Sequence, residues 1–518
     1  MADSPAKGEA VSEIENPHSY PESGASGDEK VTAAKVEDAN APRGLREPPA
    51  FIQSLTAEER EVLEVRLKRK IDTRLLPAII LMYILNYIDR NNIAAAKLAH
   101  IERDLGLSSV EFQTAVSILF VGYLLMQIPS NLFLNKLGKP AIYLPACMII
   151  WGIISAATAG CTNAAGLLVN RFFLGFVEAA YFPGCLYYLS CWYTRKELGF
   201  RTAVLYSGAL ISGAFSGLIS AGVTWGLDGA RGIAAWRWLF IIEGAATVAV
   251  AIGAFFVLPN FPRTTTWLTE EERILAVWRL EEDIGEDDWI GSSQQTFWEG
   301  ARLAFTDIKT YVLIVLVFCI VASGTVTNFF PTVVNTLGYG NVQSLLLTAP
   351  PYVLAVIVTY ANAYHADKTG ERYWHITLPM WVAIIAYIIA ATTTAVAPRY
   401  LSMMLMVPSV YSGFVVALAW ISNIMPRPPA KRAAALAFIN AVSNCCSIYA
   451  SYLYPNSAAP HYTTAMVVNC CTAVIAVAAA TVLRFMLVKL NRKLAAGVFV
   501  DGAINGRPGE ISTFRFKI

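Results

Sequence analysis

The chain has 518 residues, of which 55% are hydrophobic and only 15% charged, and its mean hydropathy is +0.48. A soluble protein of this size carries more charge, so an ordinary globular fold in water is excluded. A net charge of +2 leaves no bulk electrostatic case for a nucleic-acid partner.

Residues 1–54 are rich in Ala, Ser, Pro and Glu, with no apolar core, and read as a disordered cytoplasmic tail rather than a signal peptide. LTAEER (55–60) then fits the Thr-x-x-Glu box that opens a helix. Twelve apolar runs follow, each near the roughly 20 residues that span a bilayer. They lie near 73–96, 110–134, 141–160, 164–189, 201–226, 237–258, 310–336, 345–365, 375–396, 399–424, 432–454 and 464–489. The charged stretch 259–309 divides them six and six. The expected organisation is a tail (1–54), a first six-helix bundle (55–258), a cytoplasmic connector (259–309), a second bundle (310–490) and a cytoplasmic tail (491–518). The predicted fold class is all-α, with twelve transmembrane helices in two six-helix bundles.

Lys136, Lys139, Arg195, Lys196, Arg201, Lys368, Arg372, Arg427, Lys431 and Arg432 lie in loops on one side, with fewer basic residues opposite. Lys and Arg favour the cytoplasmic side, so both termini and the connector are expected there. The halves echo each other. LTEEER (268–273) repeats LTAEER, and DKTGERY (367–373) stands where NKLGKPA (135–141) stands in the first half. Such parallel repeats point to two bundles around a central path.

Four charged residues lie inside the spans: Asp89 and Arg90 in NYIDRNN (86–92), and Arg171 and Glu178 in span four. A charge at the bilayer centre costs about 2.5–3.5 kcal/mol on insertion scales, so such groups tend to have partners or face a cavity. At about 1.5 Å per residue, Asp89 and Arg171 both fall about 12 Å from the outer side. Glu178 lies two turns beyond Arg171 on the same face, with Gly175 between them to admit a neighbour or a solute. Asp89 and Glu178 could carry protons and Arg90 could hold an anion. The alternative is a fixed ion-pair network that only ties helices together.

Asn440 and Asn444 form a polar face in span eleven, for solute contact or for interhelical hydrogen bonds. Asn328 beside Phe329, Phe330 and Pro331 marks a gate, a bend or plain packing. Gly213 and Gly217 read as a close helix contact. The nine cysteines form no CxxC pair and no Cys/His cluster, and no metal is expected. There is no P-loop lysine motif, no HExxH and no nucleophile elbow, which disfavours an ATP-driven pump or an enzyme.

NYIDRNNIAAAK (86–97), QIPSNL (127–132), RFFLGFVEAAYFPG (171–184), WRWLFIIEG (236–244), LTEEER (268–273), FFPTVVNTLGY (329–339) and LLLTAPPY (345–352) together resemble the major facilitator superfamily. They are similar to its anion:cation symporters, in the fungal branch of allantoate and nicotinate permeases. The resemblance implies that Asp89 is a protonation site paired to Arg171, and that Glu178 is a second one. It implies that Arg90 contacts a substrate carboxylate, Tyr87 lines the pocket and Asn440 belongs to it. The superfamily's loop motif is kept in the second half by Asp367, Gly370 and Arg372, which would act as a conformational latch. NKLGKPA lacks its Asp.

The expected activity is proton-coupled import of a small organic carboxylate, such as a vitamin acid, ureido acid or sugar acid, by alternating access. The proton gradient would supply the energy without a cofactor. The protein would be a monomer in the plasma membrane, its partners the organic anion, protons and lipid. Export of a secondary metabolite and a receptor without net transport are the rival expectations.

Overall fold

In the computed structural model, residues 48–137, 139–294, 297–425, 429–500, 503 and 514–518 are described. Most of the expected N-terminal tail, residues 1–47, lies outside them. Twelve described helices are long and apolar enough to cross a membrane. They are α1 (Ala57–Leu98), α2 (Ser109–Gln127), α3 (Pro140–Gly160), α4 (Ala164–Ser190), α5 (Phe200–Gly226), α6 (Ala235–Val257), α7 (Ile308–Asn335), α8 (Asn341–Thr369), α9 (Tyr373–Thr392), α10 (Val396–Ile421), α11 (Ala434–Leu453) and α12 (Thr463–Ala495). No strand occurs among the described residues.

Helix α1 begins well before the apolar run. Thr56 caps it, accepting from the Glu59 amide while the Glu59 carboxylate accepts from the Thr56 amide. No break follows until Leu98, so the charged entry and the span form one helix of 42 residues. In the first half α1 packs on α5 and α6, α2 on α4, and α3 on α6. In the second half α7 packs on α11 and α12, while α10 packs on α8 and α9. The halves meet through α1 and α7, α2 and α11, and α5 and α8.

Glycines set the closest approaches. A Cβ on Gly175 would lie 1.9 Å from the Leu119 carbonyl oxygen, and one on Gly122 would lie 2.2 Å from that of Phe172. The space beside Gly175 therefore admits the α2 backbone rather than a solute. Gly213 and Gly217 likewise press α5 onto Tyr352 and Thr348 of α8.

Helices α4, α7 and α11 are interrupted in mid-span. Pro183 has no N–H to give the Ala179 carbonyl, and α4 breaks into Ala164–Glu178 and Tyr181–Ser190. Pro331 has none for Thr327, and α7 passes through a 3-10 turn at Gly324–Phe329. Asn328 therefore sits in a bend, with Phe329 stacked on Tyr454 and Phe330 edge-on to Tyr352. Helix α11 is broken at Cys445, just after Asn444. Unwound backbone at membrane depth is tolerated where protein or a cavity surrounds it.

The connector holds two helices, Glu270–Gln294 and Phe297–Thr306. Thr269 and Glu272 form a further capping box. Lys70 reaches Glu272 at 2.6 Å, and the buried Arg279 bonds Glu197 and the Trp192 carbonyl. Leu275 and Trp278, three residues apart, are buried on one face of this helix. At the start of α7, Asp307 binds Lys431 at 2.8 Å and Lys309 at 3.3 Å. Burial alone would raise the Asp307 carboxyl, but these two cations hold it below the ordinary carboxylate range.

Candidate functional site: a cavity between the halves

The cavity lies where α1, α2, α4 and α5 face α7, α8, α10 and α11, and has a volume of about 130 Å³. Its first-half wall carries Arg90, Glu178 and a group of tyrosines, Tyr83, Tyr87, Tyr123 and Tyr206. Its second-half wall is neutral and includes Thr327, Asn328, Tyr411, Asn440 and Asn444.

Arg90 and Glu178 form the charged centre. Glu178 Oε2 accepts from Arg90 Nη2 at 3.0 Å and from Nε at 3.1 Å. Its other oxygen, Oε1, is buried without a hydrogen-bond partner. The Arg90 guanidinium also lies 5.2 Å from the Tyr87 ring centroid, 5.9 Å from that of Phe120 and 4.9 Å from that of Tyr123. Aromatic faces stabilise a cation with little competition for its hydrogen bonds. The chain therefore holds Arg90 in place while leaving donors for another carboxylate.

The expected pairing of Asp89 with Arg171 is corrected here. Asp89 points away from the cavity and accepts from Ser155 Oγ and Thr247 Oγ1, each at 2.8 Å. Arg171 donates instead to main-chain carbonyls, to Arg90 at 3.2 Å and Ala115 at 3.5 Å. Its Nη1 has no hydrogen-bond partner. The physical reason is direction. Arg171 lies level with this turn of α1, as the depth count expects, but Asp89 is on the α1 face that meets α3 and α6. Arg171 therefore reaches the α1 backbone and ties α4 to α1 and α2.

Tyr87, Asn440 and Asn444 line the cavity as expected. Asn444 Nδ2 donates to the Asn440 carbonyl at 2.8 Å and to its Oδ1 at 3.2 Å, so the two amides act together. Asp367 is in the last turn of α8, and Gly370 and Arg372 lie in the α8–α9 loop, where Gly370 takes φ +71° and Arg372 binds Asp367. The Arg372 amide also donates to the Ile518 carbonyl, and Phe516 is buried beside Asn491. The matching first-half loop includes Gly138, which lies outside the described residues.

Hydrogen bonds between the halves gather at the end opposite the connector. Lys97 bonds Asn456 at 2.7 Å, Asn341 bonds the Leu98 carbonyl at 2.8 Å, Ser117 bonds the Ile448 carbonyl at 2.8 Å, and Thr114 meets Tyr452 at 3.0 Å. Apart from Tyr87, the sequence reading missed the tyrosine wall, since apolar runs give no sign of which aromatic faces a cavity. It also missed Glu243 of α6, which is buried with both carboxylate oxygens unpartnered. The signal was present: an acid inside an apolar span.

Residues 79–451 match the family model of the Major Facilitator Superfamily. The transporter prlL of a fungal species (strain NRRL 50135) is 32% identical over 76% of this chain and 79% of its own. A protein of Agrobacterium vitis, named for tartrate transport, is 34% identical over 64% of this chain and 72% of its own. Among solved structures, a bacterial homologue of the human lysosomal transporter Spinster, in an inward-facing and occupied conformation, aligns with a TM-score of 0.63. That alignment covers 80% of this chain and 97% of the other, at 16% identity. A D-xylose–proton symporter aligns at 0.62 and 18% identity, over 79% of this chain and 97% of its own.

Proposed function

Because this chain belongs to the Major Facilitator Superfamily, a family of transporters and not of enzymes, we propose that it imports a small organic carboxylate together with protons. The observation that carries this reading is the Arg90–Glu178 pair on the cavity wall. Arg90 presents a planar fork suited to one carboxylate at a time. While Glu178 is ionised, it occupies that fork. Once Glu178 takes up a proton, its hold weakens and a solute carboxylate can replace it. Proton and anion then enter together, since an anion beside an ionised Glu178 would place two negative charges at one buried site. The neutral amides and hydroxyls of the second half would fit the rest of the solute.

In this reading Asp89, Glu178 and Arg171 serve proton coupling. Arg90, Tyr87, Asn440 and Asn444 hold the solute, and Asp367, Gly370 and Arg372 act as a latch. The halves rock about the site. The contacts of Lys97, Asn341 and Ser117 with the opposite half close the outer end in the state described. The protein acts as a monomer in the plasma membrane with both termini cytoplasmic, driven by the proton gradient without a cofactor. The name of the Agrobacterium vitis relative supports a carboxylate among the candidate solutes.

Purified protein in liposomes tests the proposal, with an acidic exterior and a panel of labelled vitamin, ureido and sugar acids that includes tartrate. Accumulation of one acid, abolished by a protonophore, is expected. Binding without flux would replace this reading with a receptor. Uptake indifferent to the pH gradient would remove proton coupling.

A further inference from the structure

A second acidic site lies behind the cavity wall. Helices α3 and α6 meet almost backbone to backbone. A Cβ on Gly244 would lie 2.6 Å from the Gly152 carbonyl oxygen and 2.7 Å from the Ala156 amide nitrogen. This approach brings Ser155 of α3 and Thr247 of α6 onto the two carboxylate oxygens of Asp89. The Trp151 indole N–H is buried in the same junction, close to Asp89. Glu243 lies one turn before Thr247, on the same face of α6. It is 2% exposed, and neither of its oxygens has a partner.

A buried carboxylate without a cation or donor costs several kcal/mol, so it neutralises instead. Among the described residues no basic side chain is hydrogen-bonded to Glu243, and Thr247, one turn along α6, bonds Asp89 of α1. Neither α3 nor α5 brings a basic side chain to it. Around Asp89 the charged neighbours are Glu178, Arg171 and Glu243. Two ionised acids here would repel each other. Asp89 already accepts two hydroxyl donors, which suit its ionised form, whereas Glu243 has none.

We propose that Asp89 and Glu243 form a second acidic site at the α1–α3–α6 junction, at which Glu243 holds a proton in this state while Asp89 is ionised. The proposal deepens, and rests on, the proton-coupled reading above. Releasing the proton breaks the O–H bond on Glu243 and passes the proton to water. The junction is tied to the cavity in two ways. Asp89 and Arg90 are adjacent on α1, so a turn of that helix moves both. Arg171 of α4 grips the Arg90 carbonyl and lies within the field of both Asp89 and Glu178.

The test is infrared spectroscopy of the full chain in liposomes, titrated with pH, without solute. The wild type should show the C=O band of a buried protonated carboxyl at neutral pH. Glu243→Gln should remove that band, and Glu178→Gln should leave it. In Asp89→Asn the neighbouring negative charge is gone, so the band should disappear on titration at a pH lower by about one unit or more. Glutamine has nearly the shape of neutral glutamate, and an unchanged melting temperature of Glu243→Gln checks that the fold is intact. A neutral-pH band that survives Glu243→Gln, or a titration unmoved by Asp89→Asn, would overturn the proposal. Loss of the band on adding sodium chloride, but not choline chloride, would assign these oxygens to a sodium ion and overturn it equally. Failure of pH-driven uptake by the wild type would instead sink the transport reading and leave the band result standing.

Discussion

The two halves share a fold but divide the work at the cavity. The first half contributes Arg90 and Glu178 to the wall and keeps Asp89, Arg171 and Glu243 buried behind it. The second half faces them with amides, hydroxyls and aromatic rings. Charge inside a membrane must be paired, caged or neutralised, and each device occupies helix surface. Concentrating the charges in one half leaves the other free to vary its neutral contacts. On this view the first half sets the coupling, and the second sets which solute is accepted.

The sharpest test of that division is Glu178→Gln, which mimics a permanently protonated acid. Accumulation driven by a pH gradient should vanish, while counterflow exchange at equal pH persists in the same vesicles. If both survive, Glu178 has no part in coupling. Arg90→Lys comes next. It keeps the charge but loses the planar fork. Solute affinity should fall roughly 10–100-fold, about 1.4–2.8 kcal/mol, with normal expression. Unchanged affinity would remove Arg90 from the solute site.

Asn440→Ala and Asn444→Ala probe the other half. Loss of one hydrogen bond of about 1 kcal/mol should raise the apparent KM roughly fivefold and alter the ranking among acids. The number of protons moved per solute should not change. A changed proton count would break the proposed division. The smallest effect is expected at the connector end. Asp307→Asn loses the ion pairs to Lys431 and Lys309 and should lower the melting temperature by roughly 1–3 °C. Since those cations hold the Asp307 carboxyl below its ordinary value, the stabilisation is complete above the unfolded value of about 3.9. It is lost as pH falls through the lower folded value, so wild type and variant should converge only in acid.

What the sequence determined by itself was local. Hydropathy located the twelve spans because a bilayer imposes its thickness on any crossing helix. The Thr-x-x-Glu boxes at Thr56 and Thr269 formed because capping needs only residues three apart. The ionisable residues at 89, 90, 171 and 178 stood out because charge is costly in lipid whatever surrounds it. Glu243 was open to the same logic and was passed over. Partners were another matter, since they depend on helix rotation and on contacts between residues far apart in the chain. Depth put Asp89 and Arg171 level, but the rotation of α1 turned Asp89 toward Ser155 and Thr247 and gave Glu178 to Arg90. Close backbone contacts at Gly122 and Gly175 join α2 to α4, and those at Gly152 and Gly244 join α3 to α6, where the missing Cβ lets two helices touch. A glycine in the sequence shows that such a contact is permitted. Only the packed bundle decides which helix fills it, and so which charge meets which.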